Sequence, residues 1–309
     1  MSPPVAGGGR MRIGISPFAS TRAGMLAVAD AAFAGGIDSF WLGEGLLYVE
    51  EFKPWSGGME PITWLALLAG RHPGARVGVC ASVLPLRDVT WLAKQAATLD
   101  QLTEGNFVLA LTPGMWEREF AFLGLDYNRR GRRLAASLDA LEAAFAGRAH
   151  SSEVATYPDW GRLSPVPHNG VAPELWLAGG PATTRQALRR GWPVQLQLKP
   201  VDQIEAAAAD WYARGGKGLA LRMPLRLAGS VGSAGSAGSG SGPTGVVDGP
   251  YGGYEAVGSP QELAELFAAY ERAGIVDLSI IPGQSDQASL AAVEALVETI
   301  IPAYHALAA

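Results

Sequence analysis

Two charged side chains stand where predicted strands end and could take part in chemistry. Glu44 follows the strand-like run 39–43, and Arg222 lies near the end of the run 218–223. A carboxylate in apolar surroundings can have a raised pKa and act as a general acid or base, or it can be a structural carboxylate that accepts hydrogen bonds. Arg222 could bind an anionic substrate or cofactor tail, or pair with a neighbouring carboxylate. Both alternatives stay open for each residue.

A glycine turn offers a different kind of chemistry. The strand-like run 174–178 leads into Gly179 and Gly180, and a helical pattern containing Thr183 follows. Free backbone N–H groups and the helix dipole favour an anion at such a turn. Ordinary turns and helix N-caps use the same residue types, so an anion site and a plain turn are both compatible with the pattern.

The elements that would position these residues alternate along the chain. Helical patterns separate the strand-like runs, as over 90–102, and Ser259 with Glu262 predicts a capping box around Pro260 at the first helical position. The predicted strands are 12–16, 39–43, 76–84, 106–112, 174–178, 194–198, 218–223 and 276–281. Eight such units predict an α/β fold, a single (β/α)8 TIM barrel with insertion loops over 11–309. An open doubly wound sheet is the alternative, although no G-x-G-x-x-G turn follows the first strand.

Two insertions interrupt the alternation, and the first ten residues precede it. Residues 1–10 and the Gly/Ser/Ala linker 229–243 are predicted to be disordered. The linker is either a mobile lid or a solvated loop without function. The insertion 45–61 carries aromatic residues, including Trp55, after the second strand. Those aromatics could clamp an apolar substrate or pack the loop onto the barrel rim.

One long stretch resembles a known family. Residues 77–105, followed by 106–114 and the motif Trp116-Glu117-Arg118-Glu119-Phe120, closely resemble the third strand, the third helix and the following segments of bacterial-luciferase-like flavin or F420-dependent oxidoreductases. The resemblance extends from residue 11 to about 282 and is strongest over 76–145.

The resemblance implies a cofactor, FMN or alternatively coenzyme F420, and a set of contacts. It implies a bulge with a non-prolyl cis peptide near Cys80 and Ala81 that supports the cofactor ring, and a phosphate held by the turn after the strand 174–178. The cofactor contacts expected from it are Cys80, Ala81, Thr112, Gly114, Gly179, Gly180 and Thr183. On the substrate side we expect Trp55, Trp116 and Arg222, with Glu44 as the acid/base candidate.

The sequence departs from the family at two positions. Gly45 stands where the luciferase-like pattern commonly has a proton-transfer histidine, and Pro113 replaces an arginine that some FMN-dependent members place after the fourth strand. We therefore expect phosphate binding that is weaker or rearranged.

The predicted function is that of a luciferase-like oxidoreductase or monooxygenase that uses reduced FMN, or F420, on a small, partly apolar organic substrate. In this chemistry the cofactor performs the difficult step. The alternative is a non-catalytic barrel that serves as a binding or dimer partner, for which Gly45 is the motivation. A flavin-free barrel acting on phosphorylated sugars rests on fold analogy alone. The resemblance also implies a homodimer.

Composition limits the other classes. The net charge of −5 gives no general attraction to nucleic acid or anionic lipid. One cysteine and four scattered histidines predict neither a disulfide nor a metal site. A signal peptide or membrane span is not expected, so the prediction is a cytoplasmic protein. The basic run 129–133 is more typical of a solvated helix face than of a nucleic-acid patch.

Overall fold

The structure, a computed structural model, describes residues 10–18, 21–47, 58–228, 244–249, 253–283 and 285–307. The predictions made for residues 1–9, for Trp55 and for the linker 229–243 lie outside the described residues.

The described strands alternate with helices for most of the chain. The strands are β1 (Arg12–Ile15), β2 (Ser39–Leu42), β3 (Arg76–Val83), β4 (Phe107–Thr112), β5 (His150–Ser151), β6 (Thr156–Tyr157), β7 (Glu174–Ala178), β8 (Val194–Gln197), β9 (Leu219–Leu227), β10 (Gly245–Asp248), β11 (Tyr254–Gly258) and β12 (Ile275–Ile281). The helices are α1 (Arg22–Ala34), α2 (Pro61–Arg71), α3 (Val89–Leu102), α4 (Glu117–Phe122), α5 (Arg130–Phe145), α6 (Pro181–Arg190), α7 (Val201–Ala213), α8 (Pro260–Arg272), α9 (Asp286–Ala295) and α10 (Ile301–Leu307).

All eight predicted strands are present, and four short strands are additional. The additional strands form two antiparallel pairs, β5 with β6 and β10 with β11. The contacts divide the chain into two compact units. Unit 1 comprises Met1–Trp41, Val49–Ser56 and Pro193–Ala309, and unit 2 comprises Leu42–Tyr48 and Gly57–Trp192.

The parallel sheet of unit 1 joins the first strand of the chain to the last. β1 pairs with β2 on one side and with β12 on the other, β12 pairs with β9, and β9 pairs with β8. A first strand that lies between the second strand and the last is typical of a closed barrel and not of an open doubly wound sheet. β9 extends beyond this ladder and pairs with β11.

The helices of unit 1 begin where the sequence predicts. At the start of α8, Ser259 Oγ and the Glu262 carboxylate form the predicted reciprocal capping box. The continuous helical run Asp286–Leu307 is long and apolar enough to cross a membrane by length and composition. It buries Val293, Leu296 and Ile300 and packs against α1 and α8, and a single helix of this kind is only a weak indication of a membrane span.

The sheet of unit 2 consists of β3, β4 and β7 in parallel order. Val79 of β3 is in register with Leu109 of β4, but the next paired residue of β3 is Ser82, opposite Leu111. Two residues of β3 therefore oppose one of β4, which is a bulge. Helices α2, α3 and α5 pack side by side, and α3 begins one residue before the predicted helix. The bulge lies near the carboxyl end of β3, where barrel enzymes bind their ligands.

Candidate active site

The bulge of β3 lies where the resemblance places it. The peptide bond between Cys80 and Ala81 is cis and non-prolyl. Cys80 is buried, whereas Ala81 is partly exposed. Ala81 is thus the more accessible of the two residues, and the buried thiol fits a core position.

The exit of β4 packs closely against the exit of β3. Gly114 has a φ of +83°, and a Cβ atom there would lie 2.6 Å from Val83 Cγ1. Glycine is therefore required at this position both by backbone conformation and by space. Thr112, the last residue of β4, is partly exposed at the same edge.

The turn after β7 consists of two glycines, and the second of them has free space around it. A Cβ atom on Gly179 would lie 2.7 Å from Thr183 Oγ1 and 3.4 Å from Pro113 Cδ, so this glycine lets the exits of β4 and β7 approach each other. A Cβ atom on Gly180 would meet no described atom within 4 Å. Gly180 is the N-cap of α6, and its first turn has no side-chain cap among the described residues. Exposed amides at a helix N-terminus are suited to an anion.

Glu44 is held by a cation and by a backbone amide. Its Oε2 accepts a hydrogen bond from the Val83 amide at 2.7 Å, and its Oε1 accepts one from Arg87 Nε at 2.6 Å. The Glu44 and Arg87 side chains are 14% and 16% exposed. These contacts occupy both carboxylate oxygens and support the structural interpretation of Glu44 over that of a general acid.

Arg87 joins Glu44 to a second carboxylate. Its Nη2 donates to Glu60 Oε1 at 2.6 Å, and Glu60 caps α2 by accepting from the Thr63 amide. Burial alone would lower the pKa of Arg87, but Glu44 and Glu60 outweigh it and raise that pKa. Burial alone would raise the pKa of Glu60, but the hydrogen bonds from Thr63 and Arg87 lower it overall. Arg87 and Glu60 therefore both stay ionised at neutral pH.

A further carboxylate, Glu119 on α4, was not singled out as a functional residue from the sequence. It is only 1% exposed, and its Oε1 accepts hydrogen bonds from the amides of Leu46 at 2.6 Å and Leu47 at 3.3 Å. No local signal marks it, because its partners lie 73 and 72 residues away. Only its place in the motif 116–120 pointed to this segment.

The predicted substrate contacts are distributed between the units. Trp116 is the N-cap residue of α4 in unit 2 and is partly buried. Arg222 belongs to β9 of unit 1, in register with Ser279 and Gln197, and its guanidinium carbon lies 6.0 Å from the ring centre of Phe18.

Most of the residues predicted to contact the cofactor therefore lie within unit 2. The exits of β3, β4 and β7 are adjacent in one sheet, and the segment after β2 is bound to two of them through Glu44 and Glu119. The residues gathered there are Glu44, Cys80, Ala81, Thr112, Gly114, Trp116, Gly179, Gly180 and Thr183. This edge combines a strand bulge with a partly exposed alanine, an exposed helix N-terminus and a fixed carboxylate.

A sequence model of the family described as luciferase-like monooxygenases matches residues 11–231. The chain belongs to that family. The resemblance deduced from residues 76–120 is thereby confirmed.

Curated relatives of this luciferase-like chain are longer than the matching region. It is 30% identical over 201 residues to a phthiodiolone/phenolphthiodiolone dimycocerosates ketoreductase of Mycobacterium kansasii, a match that covers 58% of this chain and 54% of that protein. The chain thus spans about half the length of the curated relatives it matches.

Solved structures share the fold over nearly the whole chain. An F420-dependent secondary alcohol dehydrogenase in complex with an F420–acetone adduct superposes with a TM-score of 0.74 and 15% identity, covering 96% of this chain and 99% of that one. The oxygenating constituent of 3,6-diketocamphane monooxygenase from Pseudomonas putida, in complex with FMN, gives 0.69 and 16%, covering 95% and 99%. The luciferase-like chain is a (β/α)8 barrel, and the predicted fold class is confirmed.

The basic run 129–133 forms contacts within unit 2 of the luciferase-like barrel. Arg130 lies 3.8 Å over the Tyr127 ring, and Arg133 Nε donates to the Pro85 carbonyl at 2.8 Å. Arg129 and Arg132 are 73% and 72% exposed and pair with nearby carboxylates. This arrangement supports a solvated helix start and gives no indication of nucleic-acid binding.

Proposed function

We propose that this protein is a flavin- or deazaflavin-dependent oxidoreductase that acts on a small, partly apolar organic substrate. The observation that carries the proposal is the turn after β7, where Gly180 leaves the N-terminus of α6 open and Thr183 lies buried beside it. The solved relatives with FMN and with an F420 adduct support a cofactor of this class. Reduced FMN is the first cofactor to test, as in a monooxygenase, and F420 is the second.

The residues present fit such a cofactor. Gly180 allows a phosphate to approach the backbone amides of α6, and Ala81 is a partly exposed residue at the bulge of β3. Bound reduced FMN would supply electrons to dioxygen, whereas F420 would supply a hydride. We assign Glu44 to holding the Val83 amide at the exit of β3, and Trp116 and Arg222 to substrate contact.

The quaternary state is also part of the proposal. Trp91 and Leu102 of α3 are 64% and 58% exposed, and three helical turns place them on the same face. Gln101 Nε2 donates to the Val166 carbonyl at 2.9 Å, so Val166, 59% exposed, lies along this helix. We call Trp91, Leu102 and Val166 the α3 face. We propose a cytoplasmic homodimer, one barrel domain per chain, that buries this face.

Binding of FMN and of F420 can be measured by absorbance and fluorescence titration of the purified protein. We expect one of them to bind, and we expect Gly180→Asp to weaken binding by at least about tenfold because a carboxylate at the turn repels phosphate. The fold should tolerate this substitution, because a Cβ atom on Gly180 meets no described atom within 4 Å.

Gly131→Asp is the matched control, because Gly131 lies on α5 and its Cβ position is equally open. It should leave the Kd of the cofactor unchanged. If neither cofactor binds to the folded wild-type protein, the proposed function is overturned and the non-catalytic alternative takes its place.

A further inference from the structure

Glu119 is a charged group in an unusual position. It lies on the two-turn helix α4 but is 1% exposed, and burial of a carboxylate is costly unless donors compensate its charge. The compensation includes two amides from one stretch of chain, those of Leu46 and Leu47, which converge on the same oxygen atom. Both amides thus depend on a single buried side chain for their acceptor.

The segment that Glu119 holds is fixed from a second side. Glu44, two residues before Leu46, binds the Val83 amide and Arg87 beyond the exit of β3. Residues 44–47 are thus bound on one side to the chain after β3 and on the other to the helix after β4. Both of these anchors are charged and lie within unit 2.

We infer that Glu119 is a positioning residue that fixes Leu46 and Leu47 and thereby shapes the substrate side of the cofactor site. This inference rests on the proposed function for its consequence. Glu119 acts through the backbone of Leu46 and Leu47, which belongs to the same segment as Glu44, and Glu44 binds the Val83 amide at the exit of β3. Loss of its carboxylate leaves two amides without their acceptor and lets this segment move away from α4.

The first experiment measures hydrogen–deuterium exchange of the Leu46 and Leu47 amides in the full-length protein. Glu119→Ala removes the acceptor, and we expect these amides to exchange at least about tenfold faster. Glu119→Gln keeps the shape and one acceptor oxygen but loses the charge, so it should give a smaller acceleration. Glu117→Gln makes the same chemical change at an exposed position of α4 and should have no effect.

The second experiment uses FMN as the probe and measures its Kd and the quenching of its bound fluorescence by iodide. In Glu119→Ala we expect the Kd to change less than about threefold. The quenching constant should rise at least about threefold, because iodide then reaches the flavin ring more easily. A general loss of structure would weaken FMN binding as well, and far-UV circular dichroism identifies that case. The Gln variant then provides the test.

The outcomes that overturn the inference about Glu119 differ from the outcome that overturns the proposed function. If the wild-type protein binds no FMN and no F420, the proposed function fails, and the exchange rates still decide whether Glu119 holds this segment. Unchanged exchange at Leu46 and Leu47 in Glu119→Ala overturns the inference. An unchanged quenching constant, with FMN bound, overturns the claim that Glu119 shapes the cofactor site.

Discussion

At the scale of single residues, the charges at the exits of β2 and β3 depend on one guanidinium. Arg87 lies between Glu44 and Glu60, and its side chain is 16% exposed. Removal of one partner from a largely buried ion pair leaves a charge without compensation, which costs more than the pair itself contributes. The stability of this edge should therefore depend on Arg87 more than on any exposed arginine of unit 2.

We predict that Arg87→Met lowers the free energy of unfolding by roughly 3 kcal/mol, because Glu44 and Glu60 then lose their cation. Urea denaturation followed by circular dichroism measures this change. The control is Arg129→Met, whose pair with Asp126 has both side chains exposed, at 73% and 54%. That substitution should cost less than about 0.5 kcal/mol. Equal losses in the two variants would contradict the role given to Arg87.

At the scale of elements, the approach of β1 to β2 depends on a missing side chain. Trp41 Nε1 donates to Ser39 Oγ at 2.8 Å, and both residues are buried in unit 1. A Cβ atom on Gly14 would lie 2.2 Å from Ser39 Oγ and 2.6 Å from Trp41 Nε1. The indole and hydroxyl thus occupy the space that a larger residue on β1 would need.

We expect Gly14→Ala to destabilise the protein by roughly 2–3 kcal/mol, the usual cost of overpacking a core. Gly70→Ala is the control, because Gly70 lies on α2 and a Cβ atom there meets no described atom within 4 Å. That variant should gain up to about 1 kcal/mol from the helix propensity of alanine. If the denaturant midpoints of both variants moved in the same direction, the packing role given to Gly14 would be refuted.

At the scale of the whole molecule, the proposed homodimer rests on the α3 face. Large aromatic side chains are enriched in the buried cores of protein interfaces. Trp91 is the largest side chain of this face and is 64% exposed, and tryptophan is enriched among residues that dominate binding energy.

We predict that the wild-type protein sediments as a dimer and that Trp91→Glu raises the dimer dissociation constant by at least about tenfold, because it places a charge in an apolar contact. Sedimentation velocity over a range of concentrations measures this constant. Leu307→Glu, on α10, changes a side chain that is 46% exposed outside the α3 face and should have no effect. A monomeric wild-type protein at all concentrations would disprove the proposed homodimer.

The sequence by itself determined the elements and the family. Strand positions follow from short apolar runs, and the start of α8 follows from Ser259 and Glu262, because both signals act over a few residues. The motif around residues 77–120 was sufficient to identify the family and therefore the barrel. The strand β9 continues four residues beyond its predicted end at Met223, because its extension is stabilised by β11, which the sequence did not predict.

Only the tertiary structure decided what the charged residues do. Glu44 was predicted from its position at the end of a strand, but its partners Val83 and Arg87 lie 39 and 43 residues away. The burial of Glu119 likewise depends on amides from the segment after β2. Local pattern fixes whether a residue lies in a strand or a helix, whereas hydrogen bonding and burial of a charge depend on which distant segments the fold brings together.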